Sequence, residues 1–328
     1  MRVMGKLKLA IVYGAICGGC DVSLVNTGEK LADVLEKYDI VYWGAAIDGK
    51  ADMLEKLDKI DVAIYMGTVR TESNLKYAKL IRDKADLVVA YGACAVYGGI
   101  PGLGALMEPE EIMKIVSSTV TTESKEEIDL PEELKLPKIL PTCTSLVEIL
   151  DPDVMAPGCP PGPISNDGLL KVLIDYAAGK KPEGKIIFGE EQSLCHECPR
   201  KPKDLSKIVM PGIYRLHEIK LEEGKCFLEQ GILCMGPATR AACNMPCIKN
   251  NMPCIGCMGP APGVDDVGLK HLSAIASILL VDKEKELLEK GLARHLDKIV
   301  DPLGMFYRYT LPSSYITKLS IKRRKKRG

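Results

Sequence analysis

Cysteine is the residue type in this sequence whose number and spacing point most directly to chemistry, because a thiolate is both a metal ligand and a redox group. The 328 residues include 13 cysteines, and eight of them lie between Cys195 and Cys257. The start of the sequence has neither a long apolar run nor a small-residue cleavage pattern, so we expect a cytoplasmic protein. Because disulfides do not persist in a reducing cytoplasm, the clustering predicts metal ligands or redox centres.

Four of the cysteines closely follow predicted strands in the first half of the chain. The strands and their cysteines are Leu7–Tyr13 with Cys17 and Cys20, Leu87–Tyr91 with Cys94, and Val154–Ala156 with Cys159. Since the carboxyl ends of parallel strands meet at one edge of a sheet, these thiols can converge. Four thiols match the stoichiometry of a four-iron four-sulfur cluster. Taken alone, Cys17-x-x-Cys20 is also typical of a thioredoxin-like redox motif or of half a zinc site.

A second group of eight cysteines predicts two further centres. Its members are Cys195, Cys198, Cys226, Cys234, Cys243, Cys247, Cys254 and Cys257. All-thiolate zinc is the competing interpretation, but the two C-x-x-C pairs stand far apart and enclose four more cysteines, which favours two iron-sulfur clusters. We interpret His196 as a hydrogen-bonding neighbour of the ligands. Cys143 is left over and is predicted to be a free, partly buried thiol.

The elements that position the first four thiols follow an alternating pattern. Apolar strand patterns at Leu7–Tyr13, Asp39–Ile47, Val62–Met66, Leu87–Tyr91 and Val154–Ala156 alternate with helical patterns at Asp21–Tyr38, Asn74–Ala85, Glu108–Val116 and Ser165–Ala178. This order predicts an α/β fold with a doubly wound parallel sheet. Regular periodicity then stops until about Gly268. We therefore predict a sheet domain over residues 1–185, an irregular cysteine-rich domain over 186–267 and a helical tail with a basic C-terminus over 268–328.

Charge and hydropathy exclude several classes of protein. The 44 Lys and Arg residues balance 44 Asp and Glu residues, so a nucleic-acid binder is not expected. The longest apolar run, Leu272–Val281, is too short to span a bilayer. Leucines from Leu287 onward mark an amphipathic helix that ends near Ile299. The basic run Lys322–Arg327 is interpreted as a solvated, disordered tail.

Three motifs together resemble the small subunit of nickel-iron hydrogenases. They are Cys17-x-x-Cys20, the run from Gly92 to Gly99 around Cys94, and Gly158-Cys159-Pro160-Pro161-Gly162-Pro163. Pro199 after Cys195-His196-Glu197-Cys198, and the run from Cys226 to Arg240, resemble the cytosolic viologen-reducing branch, which does not reduce deazaflavin and is associated with heterodisulfide reductase. The resemblance covers about Leu7 to Gly263.

The resemblance implies a flavodoxin-like first domain and three clusters in a row. It assigns Cys17, Cys20, Cys94 and Cys159 to a proximal cluster, Cys243, Cys247, Cys254 and Cys257 to a medial cluster, and Cys195, Cys198, Cys226 and Cys234 to a distal cluster. Respiratory members usually have a histidine where Cys195 stands and a proline where Cys247 stands. Because both are cysteines here, the resemblance implies three 4Fe-4S clusters.

The function implied by the resemblance is electron transfer for a catalyst held elsewhere. Dihydrogen would be oxidised at a nickel-iron site on a separate large subunit, and electrons would pass to an acceptor such as heterodisulfide reductase or its iron-sulfur adaptor. No catalytic residue is expected in this chain. Two alternatives stay open at this stage: a cluster-bearing adaptor in a complex I-like assembly whose large subunit lacks nickel, and a zinc-stabilised binding module.

Overall fold

The computed structural model describes residues 5–123, 132–204, 207–279 and 297–324. Contacts divide the chain into two compact units. The first comprises Met1–Phe188 and Leu311–Gly328, and the second comprises Gly189–Thr310. The three-part division inferred from the sequence stays a prediction.

A six-stranded parallel sheet forms the first unit. Its strands are β1 (Leu7–Tyr13), β2 (Tyr38–Trp43), β3 (Ile60–Met66), β5 (Ala85–Tyr91), β7 (Val154–Ala156) and β8 (Ile186–Ile187). They lie in the order β2-β1-β3-β5-β7-β8, and every neighbouring pair is parallel. The strand order changes direction between β1 and β3, as in flavodoxin-like sheets. The predicted doubly wound fold is confirmed.

Alternate residues along each strand enter two separate cores, one on each face of the sheet. Leu9 and Ile11 of β1 pack into one core, whereas Ala10 and Val12 pack into the other. Helices cover both faces because successive side chains of a strand point in opposite directions, and the side chains in the middle of β1, β3 and β5 are apolar on both faces. The helices of this unit are α1 (Gly19–Val25), α2 (Glu29–Leu35), α3 (Met53–Lys56), α4 (Glu72–Lys84), α5 (Ala93–Tyr97), α6 (Pro109–Ser118) and α7 (Pro163–Ala177).

The predicted helix Asp21–Tyr38 is wrong in one respect, since it is divided into α1 and α2. Gly28 lies between them with a φ of 60°. The Thr27 hydroxyl donates to the Leu24 carbonyl at 2.7 Å, which ends α1 in a turn. A second difference is a small antiparallel sheet of β4 (Val69–Thr71) and β6 (Ile139–Thr144). Strand β4 has only three residues, which is too short to give a periodic signal in the sequence.

The second unit has little regular structure among its described residues. Its helices are α8 (Pro246–Lys249), α9 (Val267–Ala276) and α10 (Pro302–Phe306). Short 3-10 turns and isolated bridges such as Tyr214 with Ile232 connect them. The irregular cysteine-rich region expected from the sequence therefore has loops where the first unit has strands.

The C-terminal segment returns to the first unit. Helix α11 (Tyr315–Arg324) carries the start of the basic run, so this part is helical rather than an unstructured tail. Most of the amphipathic helix predicted from Leu287 to Ile299 lies outside the described residues. Within the described ranges, every helix is too short or too polar to cross a lipid bilayer.

Candidate metal centres

Three strand ends bring four thiols of the first unit together. Cys17 lies between β1 and α1, and Cys20 lies in the first turn of α1. Cys94 lies in α5 directly after β5, and Cys159 lies in the loop between β7 and α7. Burial, with the neighbouring thiols of Cys159 and Cys17, raises the pKa of Cys94 to about 11.

Burial and neighbouring thiols affect Cys20 in the same way. Burial, followed by the nearby thiols of Cys94, Cys159 and Cys17, raises the pKa of the Cys20 thiol well above its usual range. All four thiols are thus electrostatic neighbours. Four thiolates at such a site would repel one another, and bound cations would remove that cost.

Two glycines leave the space that the thiols occupy. Gly92 has a φ of +90°, and a Cβ atom built on it would lie 2.5 Å from Cys20 Sγ. Gly99 has a φ of +60°, and its Cβ would overlap Cys94 Sγ. Both positions combine a left-handed backbone with a close thiol, so a side chain is excluded on two grounds. The residues around the four thiols therefore fit a bulky group bound at the sulfurs.

A buried polar network fixes the loops that carry these thiols. Tyr91 Oη donates to Asn166 Oδ1 at 2.6 Å, and Asn166 Nδ2 donates to Ser23 Oγ at 2.9 Å. Ser23 Oγ in turn donates to the Pro161 carbonyl at 2.6 Å. The network joins α1, β5, α7 and the Cys159 loop without using any cysteine.

A further pair of hydrogen bonds orients the start of α1. The carboxylate of Asp21, next to Cys20, accepts from Tyr13 Oη at 2.6 Å and from Trp43 Nε1 at 2.8 Å. Sequence reasoning missed the residues of both networks because they are distant in the chain. The polar residues at buried strand and helix ends were the only available signal.

Four thiols of the second unit form an equivalent group. Burial, with the neighbouring thiols of Cys234, Cys226 and Cys198, raises the pKa of Cys195 to about 12. Burial raises the pKa of Cys234 to about 12 as well, and Cys226 and Cys198 act in the same direction. A Cβ on Gly236 would lie 3.2 Å from Cys195 Sγ and 3.7 Å from Cys234 Sγ.

The other four thiols of this unit form two pairs. Burial is the largest cause of the raised pKa of both Cys243 and Cys254. After burial, Glu197 and then Cys247 raise the pKa of Cys243, and Cys234 and then Cys257 raise that of Cys254. Cys254 also neighbours the first group, since its backbone N–H donates to Cys234 Sγ at 3.3 Å. The structure therefore brings Cys243 to Cys247 and Cys254 to Cys257, while a link between the two pairs stays a prediction.

Backbone N–H groups face several of these sulfurs with a regular spacing. The N–H two residues further along the chain opposes the burial effect and lowers the pKa of the thiol at Cys226, Cys234, Cys243 and Cys254. Hydrogen bonds of this kind favour the thiolate, which is the form that binds iron. The donor set thus fits thiolate-bound clusters.

His196 and Cys143, which are not among the predicted ligands, occupy ordinary positions. His196 is exposed, and its Nδ1 lies 3.1 Å from Ser193 Oγ. Cys143 is the second-last residue of β6 and is buried. Burial raises the pKa of its thiol to about 12; Arg70 acts in the opposite direction, and the Cys94 thiol adds to the rise. Within the described residues, no three Cys, His, Asp or Glu side chains are placed to share one metal ion.

Comparison with known proteins gives the class. Residues 17–174 match the family model for the NADH ubiquinone oxidoreductase 20 Kd subunit. A subunit of the F420-non-reducing hydrogenase of Methanothermobacter thermautotrophicus is 35% identical over 313 residues, covering 95% of this chain and 96% of the relative. The iron-sulfur subunit of the F420-non-reducing hydrogenase of Archaeoglobus profundus is 34% identical over 329 residues, covering 96% and 99%.

Among solved structures, the nickel-iron-selenium hydrogenase of Desulfomicrobium baculatum has a similar chain. The TM-score is 0.48 at 19% identity, and the alignment covers 78% of this chain and 95% of the other.

The sheet, its thiols and the two sequence relatives from F420-non-reducing hydrogenases define the small, electron-transferring subunit of a nickel-iron hydrogenase, an oxidoreductase that carries iron-sulfur clusters. The chain belongs to the family of these F420-non-reducing hydrogenase subunits. The resemblance stated from the sequence is confirmed, and the complex I-like adaptor without nickel is not favoured.

Proposed function

We propose that this chain carries electrons between a large hydrogenase subunit and an acceptor protein through three 4Fe-4S clusters. The ligands would be Cys17, Cys20, Cys94 and Cys159 for the proximal cluster, Cys243, Cys247, Cys254 and Cys257 for the medial cluster, and Cys195, Cys198, Cys226 and Cys234 for the distal cluster. Bound there, the clusters supply one-electron redox chemistry. The observation that carries the proposal is the meeting of four thiols from three strand ends.

The residues of this chain act by binding and insulating. Cysteine thiolates would hold the iron, and backbone N–H groups facing the sulfurs favour the charged form. The Ser23, Tyr91 and Asn166 network keeps the proximal loops in one arrangement. No side chain of this chain needs to hold or move a proton for the reaction.

Exposed apolar side chains support a partner at the proximal site. Val22 and Val25 of α1, Ile100 after α5, and Ile164 of α7 are each about half exposed. The two valines share α1 with Cys20, while Ile100 and Ile164 follow Cys94 and Cys159 closely in the chain. Exposed apolar residues grouped in this way mark protein interfaces. We propose that the large subunit with the nickel-iron site covers this surface.

The acceptor would receive electrons from the distal cluster. We propose heterodisulfide reductase, or an iron-sulfur adaptor of it, because the relatives that align with 95% and 96% of this chain are F420-non-reducing hydrogenase subunits. A cytoplasmic location is proposed with it, since a chain that uses twelve of its 13 cysteines as thiolate ligands suits a reducing compartment.

The decisive test compares two cysteine variants of the complex purified without oxygen. Cys94→Ser should lose about four iron atoms per chain and stop dihydrogen-driven reduction of the acceptor, while the centres of the second unit remain visible by EPR. Cys143→Ser, the matched control, should keep its iron and activity. Wild-type electron transfer in Cys94→Ser, or loss of four irons in Cys143→Ser, would show that the ligand set is wrong.

A further inference from the structure

Arg200 is a buried cation beside the proposed distal ligands. It stands two residues after Cys198, and only 8% of the residue is exposed. A guanidinium in such a position has lost most of its hydration and must be satisfied by protein groups.

Its hydrogen bonds to described residues go to neutral acceptors. One terminal nitrogen donates to the carbonyls of Lys225 at 2.9 Å and Glu222 at 3.4 Å. The other donates to Asn251 Oδ1 at 2.5 Å. The Phe227 ring lies against the same guanidinium, 4.4 Å from its central carbon to the ring centroid.

These contacts connect the loops of two ligand groups. Lys225 and Phe227 flank Cys226, whereas Asn251 lies between Cys247 and Cys254. Arg200 therefore ties the segment after Cys198 to the Cys226 loop and to the loop of the proposed medial ligands. Arginine suits this role because its planar fork donates in several fixed directions.

Among the described residues, the guanidinium of Arg200 meets only neutral groups. Among residues 5–123, 132–204, 207–279 and 297–324, no carboxylate forms an ion pair with it. The carboxylate of Glu222, whose carbonyl Arg200 contacts, instead pairs with Lys225 Nζ at 2.8 Å. A fixed positive charge in a low-dielectric interior stabilises any nearby group that gains an electron.

We infer that Arg200 is a positioning residue whose charge makes the proposed distal cluster easier to reduce. The inference rests on the proposed function, because it takes Cys195, Cys198, Cys226 and Cys234 as the ligands. Reduction adds one negative charge to that centre, and the guanidinium favours the product. Arg200 thereby favours the presence of electrons on the proposed distal cluster, where the acceptor would dock.

The test is a redox titration of the whole complex followed by EPR, using the signal altered in Cys226→Ser to identify the distal centre. Arg200→Gln removes the charge, whereas Arg200→Lys keeps the charge but lacks the planar guanidinium. Lys203→Gln removes an exposed charge from the same segment. At a fixed potential, Arg200→Gln should lower the reduced-to-oxidised ratio about tenfold, the order that one unit charge produces over roughly 10 Å at an effective dielectric constant of about 20. Arg200→Lys should stay near the wild type, and Lys203→Gln should change the ratio much less.

An unchanged midpoint in Arg200→Gln with full iron would overturn the inference, as would equal shifts in the Gln and Lys variants. If Arg200→Gln fails to retain iron, Asn251→Asp provides the second measurement, because it places a carboxylate on the intact guanidinium. An unchanged reduced-to-oxidised ratio of the distal centre in Asn251→Asp would also overturn the inference. Wild-type protein that lacks the distal signal would instead contradict the proposed ligand set.

Discussion

The two units of the chain hold thiols in different ways. In the first unit, the sheet and its two apolar cores define the strand ends before any ligand is considered. In the second unit, eight cysteines lie on loops, 3-10 turns and the four-residue helix α8. One site is therefore placed on an independent scaffold, whereas the others belong to segments with little regular structure of their own.

Backbone conformation emphasises the contrast. The described non-glycine residues with positive φ are Lys135 in the first unit and Ala242, Asn244, Met245 and Asn251 in the second. Each left-handed residue other than glycine costs roughly 1 kcal/mol, and the four of the second unit surround Cys243 and Cys247. We expect bonds from iron to the thiolates to offset this cost, as metal binding drives the folding of other small cysteine-rich domains.

Removal of iron should produce the largest difference between the two units. Anaerobic treatment with a chelator should leave the amides of β3 and β5 protected from hydrogen exchange, because their hydrogen bonds and buried side chains need no metal. Amides from Cys226 to Cys257 should exchange far faster than in the loaded protein. Mass spectrometry of peptides from both units provides the measurement. Equal loss of protection in both would contradict the contrast.

A single methyl group should disrupt the proximal site without touching the second unit. Gly92→Ala places a Cβ 2.5 Å from Cys20 Sγ at a φ of +90°, so the thiol or the loop must move. We expect the loss of about four iron atoms per chain, measured by elemental analysis. Gly104→Ala is the matched control, because its Cβ meets Ile112 at an ordinary 3.6 Å. Full iron content in Gly92→Ala would show that the proximal loop is more adaptable than its contacts indicate.

Sequence patterns predicted the first unit well because its order is local. Continuous apolar strands such as Leu87–Tyr91 and amphipathic helices such as α4 give clear periodic signals, and the glycine at each strand end indicates the turn. The division between α1 and α2 was missed since it depends on one turn at Gly28. The β4 and β6 pair was missed because it joins distant segments.

The second unit could be predicted only as a set of ligands. The spacing of its eight cysteines indicates two centres, yet the positions of loops depend on contacts between distant residues. Arg200 illustrates this, since its acceptors Lys225 and Asn251 lie 25 and 51 residues further along the chain. Sequence spacing alone gives no signal for such a connection.

Acid should weaken the second unit through a residue that is not a ligand. His271 of α9 is fully buried and packs near Phe306, with ring centroids 5.7 Å apart, and burial lowers its pKa from 6.5 to about 4. Because the unfolded chain binds the proton more readily, stability is retained above pH 6.5 and is lost as the pH falls toward 4.

Between pH 7 and pH 5 this histidine should cost about 2 kcal/mol of the free energy of unfolding. Denaturant titrations of the loaded protein at several pH values measure the loss, and His271→Leu should reduce it by that amount. Leu269→Ala, at an exposed position of the same helix, should leave the pH dependence unchanged. An identical slope in His271→Leu and wild type would refute the assignment.

The smallest expected effect concerns the polar support of the proximal loops. Asn166→Ala leaves the buried hydroxyls of Tyr91 and Ser23 without their shared partner, which should cost about 1.5 kcal/mol of the free energy of unfolding of the first unit. Because the network contains no cysteine, the cost should be the same with and without iron. Hydrogen exchange of the β5 amides in both forms measures it, and exposed Asn26→Ala should change it by less than about 0.5 kcal/mol. If the Asn166→Ala effect appeared only in the loaded protein, the scaffold of the first unit would itself depend on metal, and the difference between the two units would be one of degree.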